Sequence, residues 1–223
     1  MSFLVEVHPN ESWAQAAAKL ILESLPPAGS VVLTGGSAAE RVYPLLAVPE
    51  RQWRFIELYF SDERCVRPDA PSSNFGLIDR TLLSRIRPAG VHRMHGEDEP
   101  SEAAGAYEQV VAPAAERGLD VVLLGVGADA HIAALFPGSP ALDESERLCL
   151  AVQRPDGMIG ITLTPPALLR ARRIMLLVSG RSKADAVRRA VSSNEIPSRC
   201  PVRLFAEHSN VQFVLDEAAA SLL

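Results

Sequence analysis

The sequence contains few aromatic residues and few cysteines, and it has no long apolar run. Aromatic residues make up 5% of its 223 residues, whereas apolar residues together make up 48%. A chain of this length and composition is expected to bury a sizeable, mainly aliphatic core. No stretch approaches the roughly 18 consecutive apolar residues that indicate a membrane-spanning helix. The sequence therefore predicts a globular protein without a membrane partner.

An excess of positive charge is also missing. The 22 Lys and Arg residues stand against 27 Asp and Glu residues, which gives a formal net charge of -5. Proteins that bind nucleic acids or anionic membranes broadly are usually basic, because phosphate groups dominate the affinity. We therefore expect no nucleic-acid partner. A local cationic pocket for a small anionic ligand is compatible with this charge.

The sequence also lacks cysteine pairs and a targeting segment. The three cysteines, Cys65, Cys149 and Cys200, are widely separated, and no C-x-x-C pair or histidine at metal-ligand spacing accompanies them. This pattern favours reduced thiols and predicts no metal site. The first residues, MSFLVEVHPNESW, have no basic segment and reach Glu6 and His8 too early for a secretory signal peptide. We expect a cytoplasmic protein.

What the sequence does have is a regular alternation of apolar runs and helical stretches. Apolar runs predict strands at 3–7, 31–34, 55–60, 120–125, 148–152, 174–179 and 211–215. Helical spacing predicts helices at 11–25, with Asn10 as the N-cap, and at 73–85, 101–117 and 181–192. Several runs are continuously apolar, which is typical of strands covered on both faces. The predicted fold class is α/β, a single domain over residues 1–223 with a mostly parallel, doubly wound, Rossmann-like sheet and helices on both faces.

Four polar clusters come directly after predicted strands. TGGSAAER follows VVL, SDERCVRPD follows FIELYF, GVGADAH follows DVVLL, and SGRSK follows IMLLV. In open α/β sheets, ligands bind where the carboxyl ends of the strands meet the amino ends of helices. We therefore expect the four clusters to share one edge of the sheet and to form a single site.

The first cluster contains the turn Gly35-Gly36-Ser37. Backbone N–H groups of such a turn can point at an anion, so phosphate is its natural ligand. A tight turn that needs positive φ is an equally good interpretation. A nucleophile elbow is disfavoured, because Ala39 breaks the G-x-S-x-G pattern and His208 precedes the last predicted strand.

The second and fourth clusters carry charged side chains. Asp62, Glu63 and Arg64 combine two candidate acid or base groups with a guanidinium that can bind an oxyanion, and Asn74 follows at a predicted helix start. The alternative is a solvated run of charges. Lys183 lies in the first turn of a predicted helix, where its ammonium can reach a phosphate. A surface lysine without a ligand is the competing interpretation.

The third cluster, GVGADAH, has the G-x-G-x-x-A spacing of a dinucleotide-binding turn. However, Pro137 interrupts the helix that such a turn requires, and Asp156 comes too late after the next strand to bind a ribose. We therefore expect no nucleotide cofactor. His131 is instead the candidate general acid or base, and Asp129 is the residue that can orient it. A histidine that only holds the loop is the alternative.

With these motifs, the sequence resembles the 6-phosphogluconolactonases, which share a superfamily with the glucosamine-6-phosphate deaminases. The resemblance runs through nearly the whole chain in order, in the segments TGGSAAERVYPLL, FSDERCVRPDAPSSNFGLIDRTLL, LGVGADAHIAALFPGSPAL and ITLTPPALLRARRIMLLVSGRSKADAV. The deaminase branch typically has D-E-Y in place of D-E-R and N-E-P in place of L-F-P-G. Arg64 and the LFPG string at 135–138 therefore favour the lactonase branch.

The resemblance implies hydrolysis of a small sugar-phosphate lactone, 6-phosphoglucono-δ-lactone, in the oxidative pentose phosphate pathway, without cofactor or metal. It implies that His131 activates water and then protonates the ring oxygen, while Asp62 and Glu63 orient sugar hydroxyls or the histidine. The residues implied to bind the substrate or its phosphate are Gly35, Gly36, Ser37, Arg64, Asn74, Gly127 and Lys183. A monomer or weak homodimer is expected.

Two departures from the family pattern bear on this expectation. Ala130 stands where the family usually has glycine, and at positive φ an alanine costs about 1 kcal/mol. Gly160 stands where the family often has a phosphate-contacting arginine, and Arg154 and Arg41 are the candidates to replace it. These departures motivate one alternative, a catalytically weak sugar-phosphate sensor. A glucosamine-6-phosphate isomerase or deaminase on the same scaffold is the other.

Overall fold

The computed structural model describes residues 3–48 and 53–223, so Met1 and Ser2 of the segment tested for a signal peptide lie outside it. The strands in the described ranges are β1 (Leu4–His8), β2 (Gly29–Leu33), β3 (Ile56–Phe60), β4 (Asp62–Arg64), β5 (Gly90–Val91), β6 (Val121–Gly125), β7 (Cys149–Gln153), β8 (Ile159–Leu163), β9 (Ile174–Val178) and β10 (Val211–Asp216). A 7-stranded sheet has the order β1-β10-β9-β6-β2-β3-β5. Its paired neighbours all run parallel, which confirms the predicted α/β class.

The order of the strands changes direction between β6 and β2. From β2 the chain continues to β3 and β5 on one side, and from β6 it continues to β9 and β10 on the other. A crevice opens beside the carboxyl ends of the strands at such a point, because the two connections leave in opposite directions. The sheet therefore provides a binding position next to the turns that follow β2 and β6.

The strand predicted at 148–152 exists as β7, but it does not join the parallel sheet. β7 forms a separate antiparallel sheet with β8 and β4, in the order β4-β8-β7. β4 consists of Asp62, Glu63 and Arg64, which follow the strand predicted at 55–60 and were not themselves predicted as a strand. The strand escapes detection because three charged residues carry no apolar alternation, and only pairing with β8 makes them extended.

The α-helices are α1 (Trp13–Ser24), α2 (Ser37–Val42), α3 (Asn74–Thr81), α4 (Pro100–Arg117), α5 (Pro165–Leu168) and α6 (Ala184–Ser192). The predicted N-cap Asn10 is wrong, since its side-chain oxygen accepts the N–H of Ala218 at 3.0 Å and Ser12 precedes α1. The helix predicted at 73–85 is divided, because Leu82 has a φ of -133° that ends α3. The helix predicted at 181–192 begins with a separate 3-10 turn, Arg181–Lys183.

Two apolar clusters pack on opposite faces of the parallel sheet. One lies beneath α1, α2 and α3 and contains Trp13, and the other lies beneath α4 and α6 and contains Tyr107. Strand β2 serves both, because Val31 and Leu33 belong to the first cluster and Val32 to the second. The prediction of helices on both faces is therefore confirmed. Within the described ranges, no helix is long and apolar enough to cross a membrane.

Candidate active site

A cleft lies at the carboxyl ends of β2, β3, β6 and β9, where the four polar clusters meet. The predicted site residues that line it are Gly35, Gly36, Ser37, Asp62, Arg64, Asn74, Gly127, His131 and Lys183. Two other predicted residues, Glu63 and Asp129, are not part of its wall. The expectation that the clusters share one edge of the sheet is therefore confirmed, whereas the role of each residue stays a prediction.

His131 and Asp129 form a hydrogen-bonded pair beside the cleft. The imidazole Nδ1 lies 2.6 Å from Asp129 Oδ1, and the backbone N–H of His131 donates to the same oxygen at 3.1 Å. Partial burial raises the pKa of Asp129, but its hydrogen bonds and the nearby imidazole outweigh burial and lower the pKa to about 2. Asp129 is therefore ionised and accepts the Nδ1 proton. In the neutral tautomer with its proton on Nδ1, Nε2 carries the lone pair that can take a proton.

The loop that carries this pair depends on two small residues. A Cβ atom at Gly127 would lie 2.1 Å from His131 Nδ1 and 2.5 Å from Asp129 Oδ1, so glycine is required for the observed contact. Ala130 has a φ of +72° and is fully buried. Ala130 therefore has the left-handed conformation in which alanine is less stable than glycine by about 1 kcal/mol. The backbone N–H of Val202 donates to the carbonyl of Ala130 at 3.2 Å and helps to hold this conformation.

Asn74, the first residue of α3, connects the two cleft-lining residues of β4. Its Nδ2 donates to Asp62 Oδ2 at 3.0 Å, and its Oδ1 accepts from Nη1 of Arg64 at 2.6 Å. A Cβ atom at Gly35 would lie 1.8 Å from Asn74 Oδ1. Gly36, with a φ of +90°, has the left-handed conformation that favours glycine. The turn after β2 thus needs glycine for its shape and also faces the cleft.

Glu63 lies behind the cleft, which differs from the expectation that it orients the substrate or the histidine. Successive side chains of a strand point to opposite faces, so Asp62 and Arg64 face the cleft and Glu63 faces α3. The Glu63 carboxylate accepts the backbone N–H groups of Asn74 and Phe75, each at 2.7 Å. Burial raises the pKa of Glu63 despite these hydrogen bonds. Its contacts fix α3, and Asn74 with it, relative to β4.

Of the two arginines considered as replacements at Gly160, the structure places Arg154 at the cleft. A Cβ atom at Gly160 would lie 3.1 Å from Arg154 Cδ, so the arginine stem lies across the glycine. The guanidinium donates to Asp156 at 2.9 Å and stacks over Phe136, 5.2 Å from the ring centroid. Arg154 is thus a third cation in the wall, besides Arg64 and Lys183. The sequence shows only an arginine near a turn between two strands. Such arginines are too common for the sequence alone to assign Arg154 to the cleft.

Arg41, the other candidate, is not among the cleft-lining residues. Its guanidinium lies 4.9 Å from the ring centroid of Trp13 and donates to Ser179 Oγ at 3.1 Å. The positive wall of the cleft is therefore formed by Arg64, Arg154 and Lys183. These three cations can bind an anionic group, whereas the His131 side chain can exchange a proton.

The cysteine thiols and possible metal ligands are the other groups that could be reactive. Cys65, Cys149 and Cys200 are free thiols, and the last two are buried. Among the described residues, no group of three or more His, Cys, Asp and Glu side chains is placed to hold a metal ion. The reactive groups at the cleft are therefore those of an acid-base site rather than of a thiol site.

Comparison with known proteins agrees with the resemblance. A family model described as glucosamine-6-phosphate isomerases/6-phosphogluconolactonase matches residues 9–214. A 6-phosphogluconolactonase of Mycobacterium tuberculosis is 36% identical, and the match covers 100% of this chain and 99% of that protein. A 6-phosphogluconolactonase structure from Trypanosoma cruzi has a TM-score of 0.86 at 27% identity, covering 100% of this chain and 98% of that one. A monomeric glucosamine-6-phosphate deaminase, at 24% identity and a TM-score of 0.88 over 99% of this chain and 100% of that one, shares the fold. The chain belongs to the glucosamine-6-phosphate isomerase/6-phosphogluconolactonase family.

Proposed function

We propose that this protein hydrolyses 6-phospho-D-glucono-1,5-lactone to 6-phospho-D-gluconate in the oxidative pentose phosphate pathway. The observation that carries the proposal is the pairing of the cleft residue His131 with an ionised Asp129, beside three cationic side chains in the cleft wall. The first feature provides a base for activating water, and the second provides a binding site for a phosphate. Relatives named 6-phosphogluconolactonase, such as the mycobacterial protein, support the same substrate.

In this mechanism His131 acts first as a base and then as an acid. Nε2 takes a proton from a water molecule as the water oxygen attacks C1 of the lactone, which gives a tetrahedral intermediate. When the bond from C1 to the ring oxygen breaks, the imidazolium returns the proton to the ring oxygen. Asp129 holds the ring through Nδ1 and stabilises the imidazolium between the two steps. A δ-lactone is an activated ester, so no covalent nucleophile is needed.

The remaining cleft residues bind and orient the substrate in this proposal. Arg64, Arg154 and Lys183 hold the phosphate by charge, and the turn 35–37 adds backbone N–H groups. The carboxylate of Asp62, held by Asn74, accepts hydrogen bonds from sugar hydroxyls. Phosphate binding far from C1 fixes the carbonyl for attack, because remote contacts reduce the entropy lost at the reacting centre.

The test is the decay of freshly generated 6-phosphoglucono-δ-lactone with wild-type protein, with His131→Ala and without protein. Because the lactone hydrolyses spontaneously, each rate is corrected for the uncatalysed reaction. We expect His131→Ala to lower kcat by about 100-fold to 10,000-fold, the range for a general acid-base group. His95→Ala is the matched control, since the exposed His95 is not among the cleft-lining residues and lies 3.8 and 3.9 Å from its carboxylate neighbours Asp98 and Glu97.

Wild-type decay no faster than in buffer would overturn the proposal. If the protein then bound 6-phosphogluconate without turnover, the sensor would replace the lactonase. Release of ammonia from glucosamine 6-phosphate would instead identify the isomerase or deaminase reaction.

We further propose that the protein works in the cytoplasm, as a monomer or weak homodimer, and without metal or cofactor. The free cysteines support a reducing compartment. We expect activity to be unchanged after dialysis against a chelator, and a loss of activity would indicate a required metal. Sedimentation at the assay concentration measures the oligomeric state.

A further inference from the structure

Asp216 is a buried carboxylate behind the cleft for which the proposed reaction has no use. It is the last residue of β10 and only 3% exposed, and it is not among the residues that line the cleft. Its two carboxylate oxygens accept the backbone N–H of Gly180 at 2.9 and 3.0 Å. One of them also accepts the N–H of Ala219 at 2.8 Å. Burying a carboxylate is costly unless its hydrogen bonds are satisfied, so this arrangement fixes Gly180 firmly.

Gly180 begins the short turn that brings Lys183 to the cleft. Its φ of +94° turns the chain away from β9, and the next three residues form the 3-10 turn Arg181–Lys183. The backbone N–H of Lys183 donates to the carbonyl of Gly180 at 3.0 Å. Because one tight turn joins the two residues, the position of the Gly180 amide determines where the Lys183 backbone lies.

The residue before Gly180 is held from the other side. Ser179 Oγ accepts from Nη1 of Arg41 at 3.1 Å, and Ser179 itself lines the cleft. The Arg41 contact is exposed, whereas the Asp216 contact is partly buried, charge-assisted and made by a buried carboxylate. Asp216 is therefore the stronger of the two restraints on this turn.

We propose that Asp216 is a positioning residue that acts through Gly180 to place the Lys183 ammonium for binding the substrate phosphate. The inference rests on the proposed function, because it assigns Lys183 to the phosphate. It predicts that the loss of Asp216 weakens binding of phosphorylated ligands and leaves the chemistry at His131 in place.

The first test compares Asp216→Ala and Asp216→Asn with wild-type protein on phosphorylated and unphosphorylated gluconolactone. Loss of a charge-assisted contact should raise KM for the phosphorylated lactone by about tenfold in Asp216→Ala. We expect kcat to stay within about threefold of wild type, since His131 and Asp129 lie on another loop and Arg64 and Arg154 still hold the bound phosphate. The unphosphorylated lactone should show no change. Asp216→Asn keeps one acceptor oxygen for Gly180 and should restore most of the affinity.

Asp120→Ala is the matched control for general loss of stability. Like Asp216, Asp120 accepts a backbone N–H, that of Ser30 at 2.9 Å. Unlike Asp216, it lies at the amino ends of β2 and β6, away from the cleft. Both Asp→Ala variants should lower Tm, whereas only Asp216→Ala should raise KM. An equal rise of KM in both variants, or an equal rise for both lactones, would overturn the inference.

The second test is a double-mutant cycle with Lys183→Met. If Asp216 acts through Lys183, Asp216→Ala should change KM for the phosphorylated lactone little further in the Lys183→Met background. Additive effects would show that Asp216 does not act through the lysine. If wild-type protein hydrolyses no lactone, the proposed function fails. Calorimetric binding of 6-phosphogluconate to wild type, to each single variant and to the double variant still decides whether Asp216 positions Lys183.

Discussion

Gly127 sets the position of the His131–Asp129 pair. A Cβ atom at this position would lie 2.1 Å from the imidazole Nδ1, closer than any real contact, so Gly127→Ala must displace the ring. We expect kcat/KM for the phosphorylated lactone to fall by about 100-fold, the effect of misplacing a catalytic group by about 1 Å. The measurement is the initial rate of lactone loss after subtraction of spontaneous hydrolysis.

The matched control is Gly105→Ala, in the middle of α4. A Cβ atom at Gly105 meets nothing within 4 Å, so alanine fits there without displacement. This variant should keep full activity and have a higher Tm, because alanine favours a helix by about 1 kcal/mol over glycine. Equal activity of the two variants would contradict the role assigned to Gly127.

Individual side-chain directions were the least predictable feature of the site. The sequence identifies Asp62, Glu63 and Arg64 as a unit, but only the extended conformation of β4 separates them, with Glu63 turned towards α3. Asp216 gave no signal, because an aspartate at the end of a strand is common and its partner Gly180 is 36 residues away. Both residues act through backbone N–H groups, and the sequence carries no pattern for such contacts.

At the scale of elements, the hairpin of β7 and β8 adds a third cation to the cleft, Arg154, which the sequence offered as one of two replacements for the missing arginine. Arg154 lies between the two strands in the chain, stacks over Phe136 and pairs with Asp156. Arg154→Met should raise KM for the phosphorylated lactone by about tenfold, because it removes a charge-assisted contact. Arg154→Lys should recover only part of the affinity, since an ammonium cannot keep the bidentate and stacked geometry. Steady-state kinetics on both lactones measures the effect.

Arg188→Met is the matched control for Arg154→Met. Arg188 also pairs with a nearby aspartate, Asp185 at 2.7 Å, but it lies exposed on α6. Removing it should leave KM unchanged. If Arg154→Met weakens both lactones equally, Arg154 supports the cleft wall and does not bind the phosphate.

The strands were predicted where a local run of apolar residues marks them. β6 and β9 are continuously apolar, and β10 is apolar except for Gln212 and Asp216, because helices cover both faces of the parallel sheet. All three strands lie close to their predicted bounds. β4, β5 and β8 were missed. β4 and β8 belong to the small sheet, in which β8 pairs antiparallel with both β4 and β7. The small sheet therefore depends on long-range contacts, which a local pattern cannot show.

On the scale of the whole molecule, the parallel order of the sheet explains why the site could be located before the structure was known. Parallel strands place their carboxyl ends at one edge, so turns from β2, β3, β6 and β9 converge although they are far apart in sequence. The cleft also differs in charge from the molecule as a whole. The chain has a net charge of -5, yet its cleft contains Arg64, Arg154 and Lys183. A small anion is therefore attracted to the cleft while the rest of the surface remains acidic.

This charge distribution leads to a prediction about stability. A ligand that binds only the folded chain at 100 times its Kd adds about 2.7 kcal/mol to the free energy of unfolding. For a chain of this size, that gain corresponds to a rise in Tm of roughly 5 to 10 °C. We expect saturating 6-phosphogluconate to produce such a rise, measured by differential scanning calorimetry at low salt. Gluconate, which lacks the phosphate, should produce little.

Added salt and a charge variant provide the decisive controls for this prediction. The shift caused by 6-phosphogluconate should shrink as sodium chloride is raised, because ions screen the attraction between the phosphate and the partly exposed cations. It should also be smaller in Lys183→Met. A shift that gluconate reproduces, or that salt and the Lys183 substitution leave unchanged, would mean that the cleft binds the sugar and that its three cations serve another purpose.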